Sequence, residues 1–327
     1  MSTAFVTGGS GFIGGRLIDR LVREGWRVRA LARSDASAAK VSERGAEAVP
    51  GDLHDAAAMR AGADGCEYAF HAAAHLGEWG TREEFERDNV GGTRNALEGS
   101  RAAGVRRFVH VGTEAALLAG DPLVNVNEDA PLRPDSKALY PATKAMAEQA
   151  VRDANGDGFE TVVVRPRLVW GPGDTTIVPG LRATIEKKRF SWIGGGNHLT
   201  STTHVDNTVE GLVLGATRGR PGGVYFVTDG EPVLFRDFIS SLLRANGIEP
   251  PDRNTPAPVA RLAAGAMEAI WRTFRLKGSP PVTRLVYWLS AQECTIDITR
   301  ARAELGYAPV ITREQGLAAL RSEAAAT

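Results

Sequence analysis

The chain has 327 residues, more than one hydrophobic core usually organises, so a large unit with a smaller dependent one is expected. Lysine plus arginine (39) balance aspartate plus glutamate (39), scattered along the chain, which argues against a nucleic-acid partner and favours a small molecule. Only Cys66 and Cys294 occur, far apart and outside any CxxC or Cys/His cluster, so no disulfide framework or metal site is expected and a reducing cytoplasm fits.

Taken in chain order, the first strand reads as Ala4–Thr7, close to the initial methionine, leaving no room for a signal peptide. Thr7-Gly8-Gly9-Ser10-Gly11-Phe12-Ile13-Gly14 follows it and opens a helix over Phe12–Glu24. The spacing Gly9-x-Gly11-x-x-Gly14 permits a tight turn and brings backbone N–H groups up to a pyrophosphate at the positive helix end. Gly8, Ser10, Gly11, Phe12, Ile13 and Gly14 are the candidate phosphate-binding residues. The second strand, Arg27–Ala32, ends where a carboxylate, about 20 residues past the glycines, would accept hydrogen bonds from the ribose of NAD. Ala32 stands there, followed by Arg33 and Ser34, a pair suited to a 2′-phosphate, so NADP(H) is favoured over NAD(H). Asp35, turned inward, would reverse that preference.

Further strands are read at Glu47–Pro50, Tyr68–His71, Phe108–Val111 and Thr161–Arg165, and helices at Asp55–Ala61, Arg82–Ala103 and Pro141–Ala154. The alternation predicts an α/β fold with a doubly wound parallel Rossmann sheet. Tyr140 and Lys144 stand four apart, hence on one helix face, and an ammonium there would stabilise a phenolate for proton transfer. Thr113, just past a strand, offers a hydroxyl beside them. After Trp170 the pattern changes to Gly/Pro-rich turns and short strands, which divides the chain into a dinucleotide-binding domain, residues 1–170, and a smaller α+β substrate domain, residues 171–327, with the chain free to cross back. The longest apolar stretch, Leu262–Ile270, contains Glu268 and is too short to span a bilayer. The alanine-rich tail Glu323–Thr327 is expected to fray.

With the residues already quoted, Gly51-Asp52-Leu53, His71-Ala72-Ala73-Ala74, Asn89-Val90-Gly91-Gly92-Thr93, Arg165-Pro166, Thr203-His204-Val205-Asp206-Asn207 and Ala303-Glu304-Leu305-Gly306-Tyr307 resemble the extended short-chain dehydrogenase/reductase family. Within it they resemble the 3β-hydroxysteroid dehydrogenase-like and dihydroflavonol reductase-like branch. The resemblance covers nearly the whole chain. It implies Tyr140 as acid–base, Lys144 as its tuner and a ribose ligand, and Thr113 as donor to the substrate oxygen. It also implies that Asp52 and Leu53 flank the adenine, Ala72 and Ala73 line the dinucleotide, and Pro166 and Leu168 border the nicotinamide. Asn89 falls at a proton-relay position, with an ordinary polar helix residue as the alternative, and His71 reads as a buried strand-end histidine. A homodimer through Arg82–Ala103 and Tyr140–Ala154 is implied in the same way.

Two departures bear on the reaction. Sugar-nucleotide members end a glycine-rich loop with an arginine that grips the diphosphate, whereas Gly194–Thr200 ends on Thr200. Dehydratase members follow the threonine with an acid and a glutamate, whereas Thr113-Glu114-Ala115 has the acid alone, and Glu114 reads as a strand-end loop residue or as a polar neighbour of the site. Trp271, Phe274, Leu276 and Leu285–Leu289, within Pro256–Cys294, read as a lid over an apolar ligand, a peripheral membrane contact or domain core. His75 and Trp79 read as substrate-facing or as a docked surface loop. The expected activity is NAD(P)-dependent interconversion of a hydrophobic secondary alcohol and ketone, steroid-like, β-ketoacyl or polyketide-like. A nucleotide-sugar epimerase and a non-catalytic dinucleotide-sensing protein are the alternatives.

Overall fold

Alternate residues of the early strands are apolar on both faces, so each strand needs cover above and below. Ala4 and Val6, Val109 and Val111, and Val162 and Val164 point into one core, while Phe5, Phe108 and Val163 point into a second on the opposite side. The computed structural model describes residues 1–326. Its first part runs β1 (Thr3–Thr7), α1 (Phe12–Arg23), β2 (Arg27–Ala32), α2 (Asp35–Glu43), β3 (Glu47–Pro50), α3 (Ala56–Ala63), β4 (Tyr68–His71), α4 (Arg82–Phe85), α5 (Gly92–Ala102), β5 (Arg107–Val111), β6 (Leu123–Val126), α6 (Leu139–Asp153) and β7 (Glu160–Pro166).

The second part runs β8 (Val169–Trp170), α7 (Ile177–Glu186), β9 (Trp192–Ile193), β10 (Leu199–Thr200), β11 (Thr203–His204), α8 (Val205–Arg218), β12 (Gly223–Val227), β13 (Val233–Leu234) and α9 (Phe235–Ala245). It continues through β14 (Asn254–Thr255), α10 (Ala257–Thr273), α11 (Arg284–Ala291), β15 (Cys294–Ile296) and α12 (Arg313–Ala326).

Seven parallel strands form the main sheet in the order β12-β7-β5-β4-β1-β2-β3, the doubly wound Rossmann arrangement. Six were predicted; the seventh, β12, comes back from beyond residue 171 to pair with β7. α1 and α8 cover one face, and α3, α5 and α6 the other. A smaller sheet, β13-β10-β15-β6, and the helices α7, α9, α10 and α11 supply the α+β remainder. The single helix predicted over Arg82–Ala103 is broken by a π-helical turn, Glu86–Gly91, that widens the backbone around Asn89. α2 went unpredicted, because its apolar face is only Val41 and small residues. α12 continues through the expected frayed tail to Ala326, while Thr327 lies outside the described residues.

The helix start is where the fold is least forgiving. A Cβ on Gly14 would lie 2.2 Å from the carbonyl oxygen of Gly8 and 3.0 Å from the Cα of Gly9, backbone atoms that cannot retreat without opening the turn. Gly14→Ala is expected to cost about 2 kcal/mol or more in urea-induced unfolding, a loss of the size that overpacking produces.

Candidate active site

The order of the sheet reverses between β1 and β4, and their carboxyl ends open into a crevice. Gly8, at φ +73°, turns the chain back so that the N–H of Gly11 donates to Gly8 O at 3.0 Å. Glycine is required twice over: a Cβ there would lie 2.6 Å from Ala73 N, across the crevice. The first turn of α1 has no side-chain cap and no acid, so the N–H groups of Phe12 and Ile13 are unclaimed and point at the crevice with the positive helix end. Ser10 and Gly11 are exposed beside them. On the β4 side the N–H groups of Ala72 and Ala73 donate to Thr7 O at 3.2 Å and to Thr7 Oγ1 at 3.4 Å. This cradle fits a dinucleotide pyrophosphate.

Its far end is built from the tips of β2 and β3. Gly51 N donates to Ala32 O, and exposed Asp52 accepts the N–H of His54. Half-buried Leu53 lies against Gly92, where a Cβ would be 3.2 Å from its own. Arg33 and Asp35 are both exposed and without a side-chain partner among the described residues. Ser34 is not free in the same sense: its hydroxyl caps α2 by accepting the Ser37 N–H at 3.3 Å. At the near end Pro166 closes β7, and Leu168 is held at φ +43°, a left-handed conformation that a branched side chain rarely adopts.

Tyr140 sits in the first turn of α6, where Pro141 costs no hydrogen bond, and Lys144 follows one turn on. The buried Lys144 ammonium donates to Val111 O at 3.0 Å and lies 3.3 Å from His110 Nε2. Burial pushes its pKa down to about 8, opposed by the carboxylate of Glu148. The Tyr140 phenol is driven upward, first by burial and then by the charge of Glu114, with the neighbouring Thr113 hydroxyl opposing. In this geometry the lysine charge is turned to the end of β5 rather than to the phenol. His71 is the buried strand-end residue expected: it pairs with Thr7 and Thr93 at 2.7 and 3.0 Å and stacks on His110. Burial and the nearby Lys144 charge hold it neutral, with a pKa of about 3.

Of the two readings of Glu114, the polar neighbour of the site is the one that the structure favours. It is no loop residue but a buried carboxylate whose Oε1 accepts from Arg167 Nη1 at 2.6 Å and whose Oε2 accepts the Thr113 hydroxyl at 2.8 Å. Arg167 Nε in turn donates to Thr200 Oγ1 at 3.1 Å. One turn past Lys144, Glu148 accepts both ends of the Arg165 fork, at 2.9 and 2.5 Å. Neither pair could be read from the sequence, since the partners lie 53 and 17 residues apart and each half alone resembles a surface charge.

Asn89, at the π-helical turn, donates to Thr143 Oγ1 at 3.1 Å and accepts the N–H of His75 at 2.7 Å, so it fastens the loop after β4 to α6. His75 reaches Asp88 at 3.0 Å, and Trp79 lies under the guanidinium of Arg272 at 4.7 Å, which makes this a docked loop. α11 completes the site: Leu285 and Trp288 pack on Ala115, Leu118 and Ala138, with Tyr140, Tyr287 and Leu289 around them, giving the phenol an apolar wall. The two C-terminal motifs are structural. His204 caps α8, Asn207 accepts the N–H groups of Val310 and Ile311, and Tyr307 donates to Thr228 O at 2.9 Å.

A crevice of this kind on a doubly wound sheet is a dinucleotide site, and the family and relatives that the chain matches make the class nicotinamide-dinucleotide-dependent oxidoreductases acting on CH–OH or keto groups. Within that class the chain belongs to the 3-beta hydroxysteroid dehydrogenase/isomerase family, which its residues 5–257 match. It is 48% identical over 317 residues, 97% of this chain and 95% of the other, to a 4-hydroxy-2-methyl-3-oxo-4-farnesyl-3,4-dihydroquinoline-1-oxide ketoreductase of Stigmatella aurantiaca. It is 36% identical over 333 residues, covering 98% of this chain and 99% of the other, to a 2-alkyl-3-oxoalkanoate reductase of Stenotrophomonas maltophilia. Among solved structures, MoeE5 in complex with UDP-glucose and NAD superimposes with a TM-score of 0.74 at 25% identity, over 98% of each chain.

The buried lysine gives a pH signature. Its folded pKa, about 8, lies below the ordinary value of 10.5, so the unfolded chain binds more protons between those values and stability rises with pH there. Relative to Lys144→Met, the parent protein is expected to gain about 2 kcal/mol between pH 8 and 10, measured by denaturant unfolding at each pH.

Proposed function

We propose that the protein reduces a hydrophobic ketone, or oxidises the matching secondary alcohol, with Tyr140, Lys144 and Thr113 as its working groups. The observation that carries this reading is the position of Tyr140: its ring packs against the apolar cluster of Leu285 and Trp288, with Thr113 beside the phenol. A fatty, polyketide-like or steroid-like substrate suits such a wall, and the farnesyl and alkyl groups in the two relatives' names agree with it. A nucleotide-sugar epimerase suits it less, because Thr200 stands at the diphosphate-gripping position and its hydroxyl is already bonded to Arg167. Glu114, ion-paired to Arg167, is likewise unsuited to act as the acid of a dehydratase.

Gly8, Ser10, Gly11, Phe12, Ile13 and Gly14 would hold the pyrophosphate, Ala72 and Ala73 would line the dinucleotide across from them, Asp52 and Leu53 would flank the adenine, and Pro166 and Leu168 would border the nicotinamide. The bound dinucleotide supplies or accepts the hydride. In reduction Tyr140 gives its phenolic proton to the substrate oxygen, so the Tyr O–H bond breaks as the alcohol O–H forms. Its raised pKa keeps that proton in place at neutral pH. The Thr113 hydroxyl, turning from Glu114, donates to the same oxygen. Lys144 binds the ribose and returns positive charge to the phenol in oxidation.

Residues 171–327, apart from α8 and β12, form the substrate part on this reading, and residues 1–170 the dinucleotide part. A homodimer through α5 and α6 belongs to it too, supported by a groove of about 740 Å³ lined by Arg94, Leu97, Leu132, Met146 and Gln149. The two buried free thiols, Cys66 and Cys294, suit the cytoplasm. NADP(H) is the preferred carrier, because Arg33 is exposed and unengaged beside the position where the ribose of the dinucleotide ends.

Turnover of a panel of long-chain β-ketoacids, prenylated quinoline ketones, steroids and nucleotide sugars, followed by dinucleotide absorbance, tests the substrate class; activity confined to nucleotide sugars overturns it. Tyr140→Phe is expected to lower turnover by about 100-fold or more, with dinucleotide affinity within about twofold of the parent in fluorescence titration. Arg33→Ala is expected to weaken NADPH by about tenfold, near 1.4 kcal/mol, and leave NADH almost unchanged. Equal losses for both carriers would remove Arg33 from phosphate recognition.

A further inference from the structure

Two histidines lie buried under the crevice and take no part in the proton transfer. The register of the main sheet sets Thr7 of β1 beside His71 of β4, and His71 beside His110 of β5. Phe5, Ala69 and Phe108, two residues before each of them, belong to the core on the α5 and α6 side, so the three polar side chains form one row on that face. Burial holds both imidazoles neutral, and each ring therefore has one N–H and one acceptor nitrogen.

The partners fix which nitrogen carries the proton. Thr93 donates its hydroxyl to Asn89 O at 2.6 Å and so accepts from His71 Nε2, 3.0 Å away, which leaves His71 Nδ1 to accept the Thr7 hydroxyl at 2.7 Å. At His110 the Lys144 ammonium, which can only donate, lies 3.3 Å from Nε2, so the proton sits on Nδ1. That N–H is buried without a partner among the described residues. An orphan donor costs stability that an apolar side chain, like its strand neighbours Phe108, Val109 and Val111, would not lose. The stack on His71, with centroids 5.4 Å apart and planes at 24°, keeps the ring in this pose.

In exchange, Lys144 gains a second tether. Two of its three N–H groups go to Val111 O, at 3.0 Å, and to His110 Nε2, and the third is left for a ligand. A single tether would let the ammonium pivot about Val111 O, whereas two set the direction of the third N–H. No free carboxylate competes for it: Glu148, the one whose charge acts on it, is held by Arg165 and Arg152, Glu114 by Arg167, and Asp88 by His75 and Arg87. We propose that His110 is a positioning residue for Lys144, holding the ammonium so that its third N–H is aimed at the ribose of the dinucleotide. His110 has this role only if Lys144 is the ribose ligand, as the proposed function has it. Through His71 and Thr7 the same row reaches the strand end that opens the glycine turn, so one set of side chains holds both the pyrophosphate cradle and the ribose ligand.

The test is fluorescence titration of NADPH and of NADH onto the full chain from about pH 7 to 10, which needs no substrate. With Lys144 as ligand, parent affinity falls as pH rises through about 8, where the buried ammonium loses its proton, and Lys144→Met lacks that step. His110→Phe keeps the stack and loses the acceptor, so the ammonium gives up its proton more readily: the step moves down by at least about half a unit and affinity at neutral pH weakens about fivefold. His110→Asn, whose amide ends short of Lys144, should behave alike, and His110→Gln, whose amide oxygen reaches the place of Nε2, should keep the parent's profile. Thr93→Val, which disturbs the row at His71 alone, should lower the melting temperature without moving the step. A step that stays in place in His110→Phe or His110→Asn, that moves in His110→Gln, or that moves as far in Thr93→Val overturns the role of His110. A parent without the step, or a step that Lys144→Met retains, overturns the ribose reading and the role of His110 with it.

Discussion

The reversal of strand order between β1 and β4 is the constraint from which the site follows. Chain running away from it on one side places α1 with its first N–H groups uncovered; chain running away on the other side leaves Ala72 and Ala73 facing them. The gap between is narrow enough that a methyl group on Gly8 would strike Ala73 N. A flat, extended ligand with two negative charges near its centre suits a slot with donors and no acid at its floor.

A second layer of organisation lies under the slot and is ionic. Arg165 and Arg167 flank Pro166 at the end of β7, are 0% and 1% exposed, and reach opposite elements, Glu148 on α6 and Glu114 past β5. Burying such pairs rarely adds stability over apolar packing, but removing one partner strands the other charge. Their value here is positional. The Arg165 fork sets the rotation of α6, hence of Tyr140 and Lys144, while the Arg167 pair holds the carboxylate to which Thr113 is tethered.

The parallel sheet and the glycine turn were legible in the sequence because they depend on local periodicity and on steric demands of single residues. That Tyr140 and Lys144 stand on one helix, a turn apart, was legible because four residues is one helical turn. The partner of Glu114, and with it the two-arginine underlayer, was invisible, because a buried ion pair is a property of two distant positions. The π-helical turn at Asn89 leaves no mark on apolar periodicity, since it adds one residue to a turn without changing which side is covered.

β7 lies between β5 and β12 in the sheet, yet β12 is synthesised only after β8 to β11, α7 and α8. As the chain leaves the ribosome, the outer edge of β7 therefore presents unpaired N–H and C=O groups along Glu160–Pro166 until Gly223–Val227 arrives. An uncovered apolar edge strand is a template for any other extended chain nearby, so the nascent protein passes through a stage open to aberrant pairing. The same geometry makes the complete sheet a late product of synthesis, and a fragment ending after β7 would carry the dinucleotide slot on a sheet whose margin invites aggregation.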